Sequence, residues 1–329
     1  MRTRVSFGGV VLLLFFALSF SACRSESDVT VVKLGHGLDP VHPVHRGMVF
    51  MAEKVDEKSG GKMRVDIYPS QQLGTERELL ELLQLGSLGM TKVTAAVLES
   101  FAPSYKAFSV PYLFKDRDHH FRVLEGEIGK ELLEASQEYW LLGLAYYDAG
   151  SRSFYTKEKQ ITSPADLAGL KIRTLESKTQ VEMVNTMGGS ATPISWGELY
   201  TALQSGVVDG AENNPPSFYT SRQYEVCKYY TLDEHTTIPD VLLISTIVWE
   251  TLSPQEQTWL REAAAESAQH QKILWQEASD AALDSLAANG IEILVPDKQP
   301  FVESVAPIYE AFKNEPEVYD LIQRIRAVD

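Results

Sequence analysis

Cysteine is nearly missing from this chain of 329 residues, with Cys23 and Cys227 the only two. One stands at the edge of an export leader, so no intramolecular disulfide is available to the mature fold, which must rest on its core. Long apolar runs are scarce as well: after Val10–Phe20 no stretch is long enough to cross a bilayer. Basic residues are outnumbered, 30 against 45 acidic ones, for a net charge of −15. That field opposes nucleic acid and anionic lipid as partners, although arginines can dominate it locally around a small anion. The sequence signals of common chemistries are absent too. There is no G-x-S-x-G elbow and no P-loop, so nothing here points to ATP. Gly35-His36-Gly37 opens like a dinucleotide fingerprint, but Pro40 stands where the third glycine belongs. His36, His42 and His45 lack a helical i, i+4 pair or supporting cysteines, so neither a metal nor a cofactor is expected.

What is present begins with the leader, residues 1–22. Arg2 and Arg4 supply its positive end and Val10–Phe20 its apolar stretch, and Ser21-Ala22 place small residues before Cys23. Cys23 is read as lipidated, which would tether the mature protein to a membrane outside the cytoplasm. Removing the two leader arginines takes the net charge from −15 to −17. The remaining roughly 300 residues allow two domains of ordinary size. Cys227, in a Glu/Lys/Tyr segment, is read as a buried structural thiol.

Strand and helix signals alternate, which argues for an α/β fold. Val31–Leu34 reads as a strand, Val44–Lys58 as a helix closed by Ser-Gly-Gly, and Met63–Tyr68 as an alternating strand. Thr75 with Glu78, Ser195 with Glu198, and Ser253 with Glu256 are capping boxes, and Ser163-Pro164 is a further helix start. From Pro254 the chain meets no Gly or Pro until Gly290, so one helix of roughly 50 Å is expected, with a possible break near Gln269-His270. Such a helix is long enough to run between two domains.

Met187–Tyr230 carries the densest functional signal: an N-capped helix, a Gly-flanked acidic turn at Asp209-Gly210, then an Asn-rich loop ending in Pro215-Pro216. Two arginines precede it. Arg173 ends a short strand and can offer its planar fork to a carboxylate; Arg152 offers a second positive charge. The Asn213 amide can donate to a carboxylate or hydroxyl, Trp196 can wall a pocket, and Glu76 can accept from sugar hydroxyls. Each also has a plain structural reading, as a solvated arginine, a turn asparagine, a core tryptophan or an acid placed at a positive helix end. Together they suit capture of a small organic anion and lack the parts for chemistry on it, so the chain is read as a non-enzyme.

The segments KLGHG, YPSQQLGTERELLELLQLGSLGM, VPYLF, SPADLAGLKIR and ATPISWGELYTALQSGVVDGAENNPP resemble the solute-binding proteins of tripartite ATP-independent periplasmic (TRAP) transporters, of the DctP type. The resemblance covers nearly all of the mature chain. It implies a periplasmic-binding-protein fold of two α/β lobes, residues 28–149 plus 238–277 and residues 150–237 plus 278–329, which close on a central ligand cleft and share a long domain-spanning helix. It implies that Arg173 grips the ligand carboxylate, that Arg152 is a second basic contact at a spacing shifted by one residue, and that Asn213 orients the acid. Trp196 falls at an aromatic wall and Glu76 at a ligand-facing acidic position. AENNPPSFYTS and EHTTIPDVLL resemble the branch that handles hexuronates, whereas Gly37 and Trp196 depart from the sialic-acid branch. The resemblance implies a monomeric receptor that serves a small and a large permease subunit. It leaves C4-dicarboxylates as the rival ligands and an enzyme or a sensor subunit acting on acidic sugars as rival classes.

Overall fold

Strand and helix alternate along the chain in a computed structural model that describes residues 29–329; the leader and Cys23 lie outside that range. Four strands come first: β1 (Thr30–Gly35), β2 (Met63–Tyr68), β3 (Met90–Thr94) and β4 (Leu141–Tyr147). Five follow, β5 (Ser151–Thr156), β6 (Lys171–Thr174), β7 (Ser190–Pro193), β8 (Gly210–Asn213) and β9 (Tyr229–Thr237), and then β10 (Asp240–Ser245) and β11 (Glu292–Leu294). They form two sheets, in the orders β2-β1-β3-β10-β4 and β11-β9-β5-β8-β6-β7. In the first, β1, β2 and β3 are parallel and β10 runs against both β3 and β4. In the second, β6 is parallel to β7 and β8, while β5 opposes β8 and β9.

The local signals for helix ends are mostly present as hydrogen bonds. Helix Pro43–Ser59 starts at the His42 side chain, which accepts from the Val44 N–H, and stops at Gly60 in the left-handed region. Thr75 with Glu78 and Ser253 with Glu256 each form both arms of a capping box. Ser163-Pro164 does start a helical segment, with Ser163 as N-cap, Pro164 in the first turn and a capping box to Asp166, but it is a single 3-10 turn, Pro164–Leu167, because Gly169 at φ 81° turns the chain into β6. One expectation fails. Ser195 makes no cap bond to the backbone of helix Trp196–Gln204; its hydroxyl instead donates to the Glu198 carboxylate at 2.8 Å.

Two short links join the sheets, Asp148–Gly150 between β4 and β5 and Ile238–Pro239 between β9 and β10. They lie side by side, since Tyr147 pairs with Asp240 and Ser151 with Thr237. Helix Pro254–Ala288 runs unbroken for 35 residues, about 52 Å at 1.5 Å per residue. No break occurs at Gln269-His270, where Phe50 stacks on the His270 ring and Gln271 is buried. Leu260, Ala263, Ala264, Ala268 and Trp275 join the core beneath the first sheet, whereas Leu286 joins the core of the second. Gln271 clamps the first link, its Oε1 accepting from the Asp148 N–H and its Nε2 donating to the Asp148 carbonyl, each at 2.8 Å. Next to it Gly150 adopts φ 56°, and a Cβ there would meet Trp275 at 2.9 Å.

Helix Pro316–Arg326, grouped by sequence with the second lobe, packs against the 103–109 segment and pairs Arg324 with Glu131 on the first-sheet side. Cys227 is buried, and burial pushes its thiol up to about 12. Among the described residues no helix is long and apolar enough to cross a membrane.

Candidate solute-binding cleft

Parallel strands gather loop residues at their carboxyl ends, where ligands of α/β proteins bind. Here the carboxyl ends of β1, β2 and β3 face those of β6, β7 and β8 across a cavity lined from both sheets. Arg152, Arg173, Asn213, Glu76 and Trp196 all line it. Ala149 and Ile238 bring in both links, and Trp275 the long helix. Trp196 packs against the cores of both sheets. Gln71 lies over the first turn of the Trp196 helix so closely that a Cβ on Gly197 would sit 2.1 Å from its Oε1. The two sides of the cleft are therefore in contact.

Arg173, on β6, is only 1% exposed. Its Nε donates to the Ile194 carbonyl at 2.8 Å, but Nη1 is buried with no hydrogen-bond partner among the described residues. Burial lowers its pKa, and although Glu212 opposes that shift the net direction is down. A guanidinium stays charged under any ordinary condition, so the fold holds a cation short of an acceptor at the cavity wall. Leaving such a group unsatisfied is expensive unless something else supplies the acceptor.

Arg152, on β5, is arranged differently. Its Nε donates to Glu212 Oε2 at 2.5 Å and its Nη2 to Glu212 Oε1 at 2.9 Å, a bidentate pair. Its Nη1 donates to Asn213 Oδ1 at 2.9 Å. The Asn214 N–H also donates to that oxygen, so the Asn213 amide has a fixed orientation and its Nδ2 makes no hydrogen bond among the described residues. The sequence reading placed both arginines on the ligand carboxylate; in the structure a partner 60 residues away already takes the fork of Arg152.

Behind Arg152 the charges alternate. His235 Nδ1 lies 2.8 Å from Asp233 Oδ2, and its Nε2 lies 3.5 Å from Glu212 Oε2. Burial alone would drive His235 down, yet Asp233 and Glu212 outweigh it and its pKa is pushed up to about 9. For Glu212, burial would raise the value, but Arg152 and His235 prevail and hold it at about 2. A histidine with a raised folded-state pKa contributes stability fully below its unfolded value near 6.5, and that contribution fades as pH climbs through about 9. The melting temperature is therefore expected to fall between pH 6.5 and pH 9, and His235→Asn to flatten that slope. A wild-type profile level across this window would show that His235 is not held charged.

The wall from the first sheet holds two residues that the sequence did not single out, Lys92 and Asp240. The Lys92 ammonium, on β3, lies 3.2 Å from Glu76 Oε1 and 3.1 Å from Asp240 Oδ2. Burial would lower its pKa, but Asp240 and Glu76 overcome that and raise it. A lysine in an apolar strand gives no local sign of facing a cavity. All of β3 is buried, and that burial is visible only in the fold. His42 also lines the cavity; its Nδ1 accepts from Val44, so its Nε2–H donates to Ser217 Oγ at 3.1 Å across the cleft. His36 accepts at Nδ1 from Leu38 and donates from Nε2 to His45. Burial, reinforced by nearby Lys92, pushes His36 down to about 2 and His42 to about 3, so both rings are neutral. Among the described residues no group of three His, Cys, Asp or Glu is placed to hold a metal ion.

Two sheets meeting over a buried guanidinium, with short paired links and a shared helix behind, define a two-lobed α/β fold of the periplasmic-binding-protein kind with a central cleft. A family model described as bacterial extracellular solute-binding protein, family 7 (DctP) matches residues 34–315, and the chain belongs to that family, the solute-binding proteins of TRAP transporters. Its members are periplasmic transport proteins and not enzymes. Among similar proteins is the C4-dicarboxylate-binding periplasmic protein DctP of Rhodobacter capsulatus, 31% identical and covering 94% of both chains. A solved TRAP solute-binding protein from Bradyrhizobium sp. BTAi1, in complex with D-galacturonate, is 38% identical at a TM-score of 0.87, covering 90% of this chain and 99% of that one. Another, from Anaerococcus prevotii with bound D-glucuronate, is 38% identical at a TM-score of 0.87, covering 90% and 98%.

Proposed function

We propose that this protein is the extracytoplasmic receptor of a TRAP transporter, that it captures a sugar acid such as D-glucuronate or D-galacturonate, and that it delivers the acid to the small and large permease subunits. The observation that carries the reading is Arg173, buried at the cavity wall with a donor that has no partner among the described residues. Its fork takes the ligand carboxylate; Arg152 acts through Asn213, whose Nδ2 donates to the same acid group or the ring oxygen beside it. Trp196 lies along the sugar ring, and Glu76 reads hydroxyls. The hexuronates bound by the Bradyrhizobium and Anaerococcus proteins support this choice of ligand.

Capture is a closure of the lobe 28–149 plus 238–277, which carries the C-terminal helix Pro316–Arg326 on its side, on the lobe 150–237 plus 278–315, with the motion taken up in the two links. Water leaves, and the charge-assisted bonds strengthen. The receptor works as a monomer, and the pattern of residues 2–23 supports a lipid tether at Cys23. Thermal unfolding tests the reading. D-glucuronate or D-galacturonate should raise the melting temperature, by an amount equivalent to about 2.7 kcal/mol at a hundredfold excess over Kd, and the neutral hexoses should not. Equal shifts from hexose and hexuronate would remove the carboxylate anchor, and a shift with succinate alone would move the reading to C4-dicarboxylates.

A further inference from the structure

We propose that the Gln71 side chain is a wedge between the two lobes, which opposes their closure and sets how fast a captured solute is released. This role rests on the closure proposed above and adds to it the residue that limits that motion.

The first lobe builds the wedge on a strained turn. Ser70 and Gln71, just after β2, lie in the left-handed region at φ 54° and 58°, where residues with side chains are disfavoured. Main-chain bonds hold them there. The Ser70 N–H donates to the Leu38 carbonyl at 3.0 Å and the Gln71 N–H to the His36 carbonyl at 3.1 Å, while the Gln71 carbonyl accepts from the Gly74 N–H at 3.1 Å. A turn fastened in this way fixes the aim of its side chain. The Gln71 amide points between two glycines, one from each lobe. A Cβ on Gly37 would lie 3.6 Å from its Nε2, and a Cβ on Gly197 would lie 3.6 Å from Nε2 and 2.1 Å from Oε1. Outside the cleft, Ser70 and Gln71 share a groove with Gly197 and Tyr200 of the opposite lobe, so the seam between the lobes passes this amide.

What the amide meets there works against the shut state. Its Nε2 is buried with no hydrogen-bond partner among the described residues. Parting the lobes lifts Gly197 away and lets water reach the group, so closure exchanges a hydrated donor for an orphaned one. Gln71 borders the cleft, but its amide is enclosed by chain from both lobes, whereas the Arg173 guanidinium belongs to the wall of one. Gly197 is the matching half. It stands in the first turn of helix Trp196–Gln204 with a φ outside the left-handed region, and alanine is the better helix former at such a position. The helix alone therefore gives no reason for a glycine, and the wedge does: any larger residue would strike the Gln71 amide as the lobes meet.

Pulsed electron paramagnetic resonance on the full mature chain tests the wedge, with nitroxide labels at Glu53→Cys and Gln204→Cys, exposed helix positions on opposite lobes. Gln71→Met keeps the bulk and removes the amide. It should raise the closed fraction without ligand, and stopped-flow release of D-galacturonate should slow by about tenfold. Gly197→Ala should lower the closed fraction and speed release by about tenfold, and Gln71→Ala in the same chain should cancel that change. Faster release from Gln71→Met, with ligand-free distances unmoved, would make Gln71 a contact of the solute and overturn the wedge. Distances and release rates unchanged in both Gln71→Met and Gly197→Ala would overturn it as well. A single distance in the wild-type protein, with and without bound D-galacturonate, would overturn the closure and the wedge together. Failure of D-galacturonate to bind, with Gln71→Met still shifting the ligand-free distances, would remove the sugar-acid reading and leave the wedge standing.

Discussion

Arg173→Ala should weaken hexuronate capture by about 2–4 kcal/mol, on the order of 30- to 1000-fold in Kd, the range for losing one partner of a buried charge-assisted contact. The fold should tolerate the change unusually well. Arg173 makes one hydrogen bond among the described residues, to Ile194, while its Nη1 is buried without one. Removing a desolvated charge that lacks an acceptor relieves a penalty, so the ligand-free variant is expected to keep or gain melting temperature even as binding collapses. Arg173→Lys should recover little, because an ammonium offers a point charge where a carboxylate meets a planar fork. Titration calorimetry beside ligand-free thermal unfolding separates the two effects. Unchanged affinity would take Arg173 out of the site, and a ligand-free protein that unfolds on substitution would make it a structural residue instead.

Glu212→Ala is expected to do the opposite, damaging the fold first. Glu212 is completely buried and takes both arms of the Arg152 fork while facing His235. Its removal leaves a guanidinium and an imidazolium without their shared counter-charge, and breaking a buried pair from one side costs about 3–5 kcal/mol. Urea unfolding should show that loss as a lower midpoint with an unchanged slope. A loss below about 1 kcal/mol would mean that the Arg152–Glu212 pair is replaceable by water. Binding should weaken too, since Arg152 then no longer holds the Asn213 amide in place.

These contrasting roles mark where sequence reading runs out. Cap signals were legible because donor and acceptor sit three residues apart: Thr75 with Glu78 and Ser253 with Glu256 form their boxes as expected. The 254–288 helix was legible from its lack of Gly and Pro, and the five lining residues from their likeness to a family. Pairing was not legible. Arg152 finds Glu212 across 60 residues, Lys92 finds Glu76 across 16, and Thr94 finds Asp240 across 146. Two arginines that look alike in sequence thus differ in charge available to a ligand, and Lys92 enters the cavity only because β3 lies between β1 and β10. The Ser195 box failed for a related reason: its hydroxyl prefers the Glu198 carboxylate to the backbone.

The double grip of Gln271 on Asp148 has a mechanical consequence. With both main-chain groups of that residue fastened to a long helix, Asp148 is a poor pivot for the closure proposed above. That proposal therefore puts the swivel in the next few bonds, where Gly150 already holds a backbone conformation that side chains disfavour.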